Sequence, residues 1–406
     1  MYDATQKLKH KILADSDRCV MCGLCLPHCP TFKVKRNEAD SPRGRILLAK
    51  ALAEQQLEAD ENVRAHVESC LHCLHCEHVC PAKVPFGRLI DNTKHYLAEQ
   101  QQITPLPLWL KPLLASRKLR LLFASVIKLY QLSGIQAWLR KRTFFKRSTI
   151  ATWDAMLAKR EYISAALPHS NINSKQTVAL FSGCVATISD QNTLRATRQL
   201  LTAAGFKVQL NNKQHCCGAI YRHSGDLEYA RHLMLKNSKT FKADIPVISC
   251  ASGCGAMLQQ YDNELSARHY DIHTFIIKHA DHLSFRELPE TVALHTPCSM
   301  QNILKQQAMP KKLLSLIPKL QIVSLKPETG CCGAAGIQIL QQQSQGDVLA
   351  DDTIDAMKES HANILLTSNV GCAMHLRRRI WSRKLDYEVM HPTLLLYRQL
   401  QTTKHQ

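Results

Sequence analysis

The sequence of 406 residues predicts an α/β protein with a mainly α N-terminal module and a duplicated parallel-sheet region behind it. Three observations carry that expectation. The pattern Cys19-x2-Cys22-x2-Cys25-x3-Cys29-Pro30 recurs as Cys70-x2-Cys73-x2-Cys76-x3-Cys80-Pro81. From Thr177 onward, short apolar runs alternate with helical stretches, the order of a parallel sheet covered by helices. That second region also repeats itself. Cys298, Cys331, Cys332 and Cys372 follow Cys184, Cys216, Cys217 and Cys254 by offsets of 114, 115, 115 and 118 residues, which marks an internal duplication.

The N-terminal spacing is that of paired 4Fe–4S cubes, in which three closely spaced thiolates hold three irons and the fourth cysteine crosses to the other cube. One cluster is therefore expected on Cys19, Cys22, Cys25 and Cys80, and the other on Cys70, Cys73, Cys76 and Cys29. Zinc is the rival metal. Its sites pair two CxxC or HxxxH units across a longer loop, and eight thiolates at this density, each set closed by Pro, do not fit it. His28, His72, His75 and His78 lie among these cysteines, but with eight thiolates present they read as surface or supporting residues. Such a module moves electrons singly.

A helix is expected from Pro42 to Leu57, with Ile46, Leu47, Ala51 and Leu52 at helical spacing. At its start, Arg43 and Arg45 can set positive charge beside an anionic cluster; a solvated helix N-terminus is the alternative. Next comes a basic stretch. Between Gln100 and Trp153 there is no acidic residue, while Lys111, Arg117, Lys118, Arg120, Lys128, Arg140, Lys141, Arg142, Lys146 and Arg147 are basic, about half of the chain's net charge of +19. Pro105 and Pro107 open it, and Trp109, Phe123, Trp138, Phe144 and Phe145 interrupt the charge, so short amphipathic helices are expected and a merely solvated linker is the weakest reading.

Beyond it, strands are expected at 177–181, 207–210 and 245–249, with a polar helix running to Ala204, and again at 291–295, 321–325 and 363–367. Each run ends at a cysteine, and carboxyl ends of parallel strands are where such sheets bind ligands. Gly183, Gly218, Gly253, Gly333 and Gly371 suit sharp turns there. Candidate ligands are Cys184, Cys216, Cys217, Cys250 and Cys254 in the first copy, and Cys298, Cys331, Cys332 and Cys372 in the second, where Ser368 replaces the counterpart of Cys250. Unpaired cysteine also behaves as a small buried hydrophobe, but packing explains adjacent cysteines repeated at strand ends poorly. The domains are expected at 1–98, 99–170 as a basic helical linker, 171–290 and 291–406.

The chain carries 17 cysteines, and cluster ligands must stay reduced. Met1 to Arg18 is polar, and no run of 18 apolar residues occurs, so a cytoplasmic protein is expected. No GxGxxG opens a helix and no P-loop is present, so no nucleotide site is expected, and the basic segment has no nucleic-acid recognition motif beside it.

The second region resembles the cysteine-rich CCG domains of heterodisulfide reductases and of iron–sulfur subunits of flavin-dependent dehydrogenases. It departs in the x3 spacing of Cys250 and Cys254, where the family has x2. With the motifs Ser41-Pro42-Arg43-Gly44-Arg45, Ala251-Ser252-Gly253-Cys254-Gly255-Ala256, His295-Thr296-Pro297-Cys298 and Cys331-Cys332-Gly333-Ala334-Ala335-Gly336, nearly the whole chain resembles the iron–sulfur subunits of bacterial glycolate oxidases. The resemblance implies a dicluster ferredoxin-like module joined to duplicated CCG domains, with two 4Fe–4S clusters and a further iron–sulfur cluster or zinc in the CCG part. It implies flavin-binding partner subunits that oxidise glycolate to glyoxylate, no substrate base on this chain, and electrons passed toward a membrane acceptor such as quinone from the inner face of the cell membrane. The basic segment would then dock on the anionic leaflet or on the flavin subunits. Anaerobic glycerol-3-phosphate dehydrogenases and lactate-oxidising complexes share the module order, and a heterodisulfide-reductase-like enzyme is a further alternative.

Overall fold

In Thr177–Phe181 the apolar run is buried from Val178 onward and forms β1, the centre of a small parallel sheet. The computed structural model describes residues 2–103, 106–142, 145, 148–161, 163, 176–241 and 244–401. Pro105, Phe144, Lys146, Arg147 and the expected boundary at 170/171 lie outside the described residues. The chain divides into two compact units, one of Met1–Leu108, Gly218–Leu233 and Pro327–Asp352, the other of Trp109–Cys217, Met234–Lys326 and Thr353–Gln406.

The second unit holds the strands of both copies of the duplication. β1 pairs in parallel with β2 (Lys207–Leu210) and with β3 (Val247–Ser249), which pairs with β4 (His269–Asp271), giving the order β2-β1-β3-β4. β5 (Thr291–His295), β6 (Gln321–Ser324), β7 (Ile364–Thr367) and β8 (Glu388–Met390) repeat it as β6-β5-β7-β8. The fold class is thus α/β with duplicated parallel sheets, as expected. β3 starts two residues late because Pro246 has no N–H to give to the ladder. The outer strands β4 and β8 escape sequence reading: three residues each, with His269 and Asp271 or Glu388 among them, show no strand period.

One apolar core serves both sheets. Val178, Leu200, Ile248 and Phe275 of the first copy join Val292, Leu294, Leu366 and Leu395 of the second, and burying each such side chain is worth roughly 1.5–3 kcal/mol. Polar groups are exchanged across this core. His273 sets Nδ1 at 2.6 Å from Asp271 Oδ1 and Nε2 at 3.2 Å from Ser368 Oγ, while His391 Nε2 lies 2.8 Å from the carbonyl oxygen of Cys250. A buried hydroxyl needs a partner where a thiol does not. His273 supplies it to Ser368, which stands where the first copy has Cys250.

The first unit is helical. Its core packs Leu8 and Ile12 of α1 (Tyr2–Ser16) with Leu52 of α2 (Pro42–Ala53), Val67 of α3 (Glu61–Glu68) and Leu89, Ile90 and Leu97 of α4 (Phe86–Glu99). Ser41 caps α2 by accepting from the Gly44 N–H, with Pro42 at the first helical position. The helix stops at Ala53, short of Leu57, because Gln55 is left-handed at φ 61. Two later segments complete this unit. His95 Nδ1 lies 2.8 Å from the Gly225 carbonyl oxygen, and Gln345 donates to the Ser69 carbonyl at 3.3 Å.

Burial holds the imidazoles of His295 and His391 down at about 4 and about 3, from an ordinary 6.5. Unfolded chains therefore bind more protons below pH 6.5, so this stability is complete above that value and drains away as pH falls toward 4. Urea midpoints followed by circular dichroism should fall across that window, and His295→Gln should flatten the slope.

Candidate metal centres

The second cysteine motif follows α3 in a loop whose His72 and Leu74 are left-handed, φ 51 and 57. These turns curl Cys70, Cys73 and Cys76 around a cavity, and the fourth cysteine lining it is Cys29 of the first motif. All four are buried. Burial and then the neighbouring thiols Cys73, Cys70, Cys29 and Cys25 hold the Cys76 thiol well above its ordinary range. Cys70 goes the other way. Burial alone would raise it, but a hydrogen bond with His72 and the charges of Arg45, His72 and Lys94 win and bring it down to about 6. Four converging soft sulfurs, one already favouring thiolate, suit an iron–sulfur cube.

Arg45 closes this site from below and is 1% exposed. It donates from Nε to the His66 carbonyl at 2.7 Å, from Nη1 to Thr31 Oγ1 at 2.9 Å, and from Nη2 to Asp40 Oδ1 at 3.2 Å and Ser69 Oγ at 2.9 Å. Burial pushes the Asp40 carboxyl up, yet the Ser69 hydrogen bond and the Arg45 charge leave it below the usual carboxylate range. Arg45 is therefore no solvated helix terminus.

Around the first motif, Met21 and Gly23 are left-handed and Cys22 is exposed, with Cys19, Cys25 and Cys80 half-buried. Burial raises the Cys25 thiol to about 11. Arg43 reaches this loop, with Nη1 at 3.3 Å from the Met21 carbonyl oxygen and Nε at 2.6 Å from Glu38 Oε1. Two residues apart at the start of α2, the two guanidiniums thus serve one cysteine loop each.

In the first CCG copy, Cys184 follows β1, Cys216 and Cys217 follow β2, and Cys254 lies on the helix after β3. Cys184 Sγ is 3.3 Å from Cys216 Sγ, and the Cys217 thiol contacts those of Cys216 and Cys254. Contact with Cys216, then burial, keeps the Cys184 thiol well above its ordinary range. Gly183 sits beside Cys254 Sγ at φ +67, a backbone conformation that glycine adopts without strain. Buried Asn237 donates to the Cys216 carbonyl at 2.9 Å and Tyr261 donates to the Cys217 carbonyl at 2.8 Å, holding the adjacent pair. Cys250 sits apart in the apolar core, where burial drives its thiol to about 12 and Thr197 is its hydrogen-bonding neighbour. Four clustered thiols from three strand ends offer a thiolate metal site.

In the second copy, Cys298 follows β5, Cys372 lies in the helix Val370–Ser382 after β7, and Cys331 and Cys332 are buried in the other unit. Three functional-looking groups have no sequence signal: Asp91, Arg222 and His223, which gather at His72. The ligating atoms of His72, Asp91 and His223 lie within 4.8 Å of one another.

A 4Fe–4S dicluster family model matches residues 15–84, and a cysteine-rich family model matches residues 178–259 and 292–377. Fold and cysteine sites together define an iron–sulfur protein of the dicluster-plus-CCG class. The chain is 31% identical to the probable glycolate oxidase iron-sulfur subunit of Bacillus subtilis strain 168, over 91% of this chain and 90% of that one. It is 28% identical to the glycolate oxidase iron-sulfur subunit of Escherichia coli strain K12, over 88% and 89%. Lactate utilization protein A of B. subtilis matches at 26%, over 53% of this chain and 96% of its own. The chain belongs to the family of glycolate oxidase iron–sulfur subunits.

Replacing Arg45 with Met should take from buried Asp40 its fully buried cation, leaving Lys35, His66 and Ser69 as its neighbours, at a cost of about 1–3 kcal/mol. Denaturation should show that loss, together with weaker retention of the visible iron–sulfur absorption; wild-type stability in the variant would refute the account.

Proposed function

We propose that this chain is the electron-carrying subunit of a flavin-dependent, glycolate-oxidising complex. Partner flavin subunits take two electrons from glycolate as one hydrogen leaves its hydroxyl-bearing carbon and one proton leaves the hydroxyl, giving glyoxylate, and the electrons leave through this chain toward a membrane quinone. The observation that carries the reading is the cavity shared by Cys29 with Cys70, Cys73 and Cys76, the crossing that paired cubes require. Cys19, Cys22, Cys25 and Cys80 hold one 4Fe–4S cluster and those four the other. Bound clusters supply one-electron carriers at the end of a two-electron oxidation. Cys184, Cys216, Cys217 and Cys254 hold a further iron–sulfur cluster or zinc.

Lactate is the second substrate reading, favoured by the match to almost the full length of lactate utilization protein A.

The contact with the membrane falls to the acid-free segment. Among the described residues no helix is long and apolar enough to cross a membrane. The helix Arg117–Leu132, α5, instead turns an apolar stripe outward. Leu119, Leu122, Phe123, Val126 and Leu129 are exposed at helical spacing, whereas Arg120 and Ala124 are buried. Lys118 and Lys128 flank the stripe, and each basic residue at an anionic surface adds about 1 kcal/mol.

Anaerobically prepared protein should contain roughly eight irons on the dicluster module. Cys29→Ser should lose about half of them, those on Cys70, Cys73 and Cys76, and keep the cluster on Cys19, Cys22, Cys25 and Cys80. With flavin subunits present, glycolate should produce the electron paramagnetic resonance signals of reduced clusters; reduction by lactate alone would transfer the assignment to the second reading. Vesicles with phosphatidylglycerol should retain the complex in a salt-sensitive manner and phosphatidylcholine vesicles should not, with Leu122→Asp plus Leu129→Asp abolishing retention. Equal binding by that variant would remove the membrane contact from α5.

A further inference from the structure

The acid-free segment has a second face. Opposite its exposed apolar stripe, α5 carries Ala124, Ile127, Lys128 and Gln131 at helical spacing of their own. With the start of the helix Gln191–Ala203 and residues 157–160 between them, they line a cavity of about 430 Å³, its open mouth included. All three pieces belong to the second unit. Hydrogen bonds hold the walls together. Gln131 Nε2 donates to the Ala158 carbonyl at 3.1 Å, Asn192 Nδ2 to the Lys159 carbonyl at 2.8 Å, and the Ala158 N–H to the Ser189 carbonyl at 3.4 Å. Ser189 and Asn192 are buried.

Three cations line this cavity, half-buried Arg160 with exposed Lys128 and Arg195, and no carboxylate does. Arg160 Nη1 donates to the Lys128 carbonyl at 3.4 Å and Arg195 Nη2 to Gln191 Oε1 at 3.3 Å. Among the described residues the two guanidiniums thus find a carbonyl and an amide rather than a charge. The acids nearest along the chain are engaged elsewhere. Glu161 accepts from Arg398 Nε at 3.0 Å, and Asp190 is buried 3.6 Å from Arg377 Nη2 while accepting from the Thr193 N–H at 3.4 Å. By contrast Arg140, also in this unit, is neutralised by Asp154 at 2.6 Å. Like charges in a cleft with apolar walls, here Ile127, Leu157 and Ile188, repel one another and concentrate anions.

We propose that this cavity is a binding site for a soluble phosphate group, free or as a monoester, held by Arg160, Arg195 and Lys128. A phosphate presents acceptor oxygens in several directions, which suits two planar guanidinium forks and an ammonium arriving from three pieces of chain; a monocarboxylate presents two oxygens in one plane. The phosphate comes from solution rather than from a lipid headgroup, because the cavity wall is the face of α5 opposite the apolar stripe. Bound there, the anion ties the back of α5 to the first CCG copy. The inference rests on neither the clusters nor glycolate.

The test is isothermal titration calorimetry of the full chain with inorganic phosphate, ionic strength being held constant with sodium chloride. One site per chain is expected. Arg160→Gln combined with Arg195→Gln should weaken it by about tenfold. Lys213→Gln, an exposed cation outside the cavity, should leave it unchanged. Hydrogen exchange of the amides of α5 should slow when phosphate is added to the unsubstituted chain, and not in the double variant. Should the double variant fail to fold, Lys128→Gln, at an exposed position, decides by the same loss of affinity. Absence of phosphate binding, or binding that these variants leave unchanged or that Lys213→Gln weakens equally, would overturn the proposal. So would retention by phosphatidylglycerol vesicles that falls in the double variant while inorganic phosphate fails to bind, since the site would then take a lipid headgroup.

Discussion

Arg45 loses nearly all its water on folding, and four polar groups close around it in exchange: the His66 carbonyl, Thr31, Asp40 and Ser69. Thr31 lies two residues after Cys29, and Ser69 directly precedes Cys70. The guanidinium therefore ties together the two stretches of chain that must meet for Cys29 to enter the second loop. A buried charge is tolerated only when its hydrogen bonds are complete, so the geometry that satisfies Arg45 is also the one that builds the four-cysteine cavity. Gly44 makes the approach possible: a Cβ there would stand 2.0 Å from the Glu38 carbonyl oxygen.

Positive charge recurs wherever thiols gather. Arg43 lies by the first loop, Arg45 and Lys94 by the second, and Arg120, from the acid-free segment, near Cys184. Each lowers the cost of holding sulfur as thiolate in a site that burial would otherwise keep protonated. Cys70 and Cys76 show the balance, since both are buried and only the one facing His72, Arg45 and Lys94 is brought down.

The duplicated sheets meet through one apolar core and through hydrogen bonds between the copies. Ser368 is the place where the two copies differ most plainly in chemistry. Its hydroxyl is held by His273, whereas Cys250 is carried by apolar packing, so neither position needs a metal to account for its burial. The clustered thiols Cys184, Cys216, Cys217 and Cys254 have no such packing account, and their backbone is held by Asn237 and Tyr261 instead.

The sequence by itself determined the eight N-terminal cysteines, the duplication, the parallel α/β class and the cysteines at strand ends, because these follow from local spacing and period. It could not show β4 or β8, which are too short and polar to carry a period, and it ended α2 too late for want of the left-handed Gln55. It counted Cys250 among the candidate ligands, and spacing carries no sign that this thiol enters the apolar core. Only the tertiary structure separated them, took Arg45 out of solvent, and brought Arg222 and His223 to Asp91 across more than 130 residues. Those outcomes depend on which faces pack and which charges lose water, and such facts are properties of the folded chain rather than of any stretch of sequence.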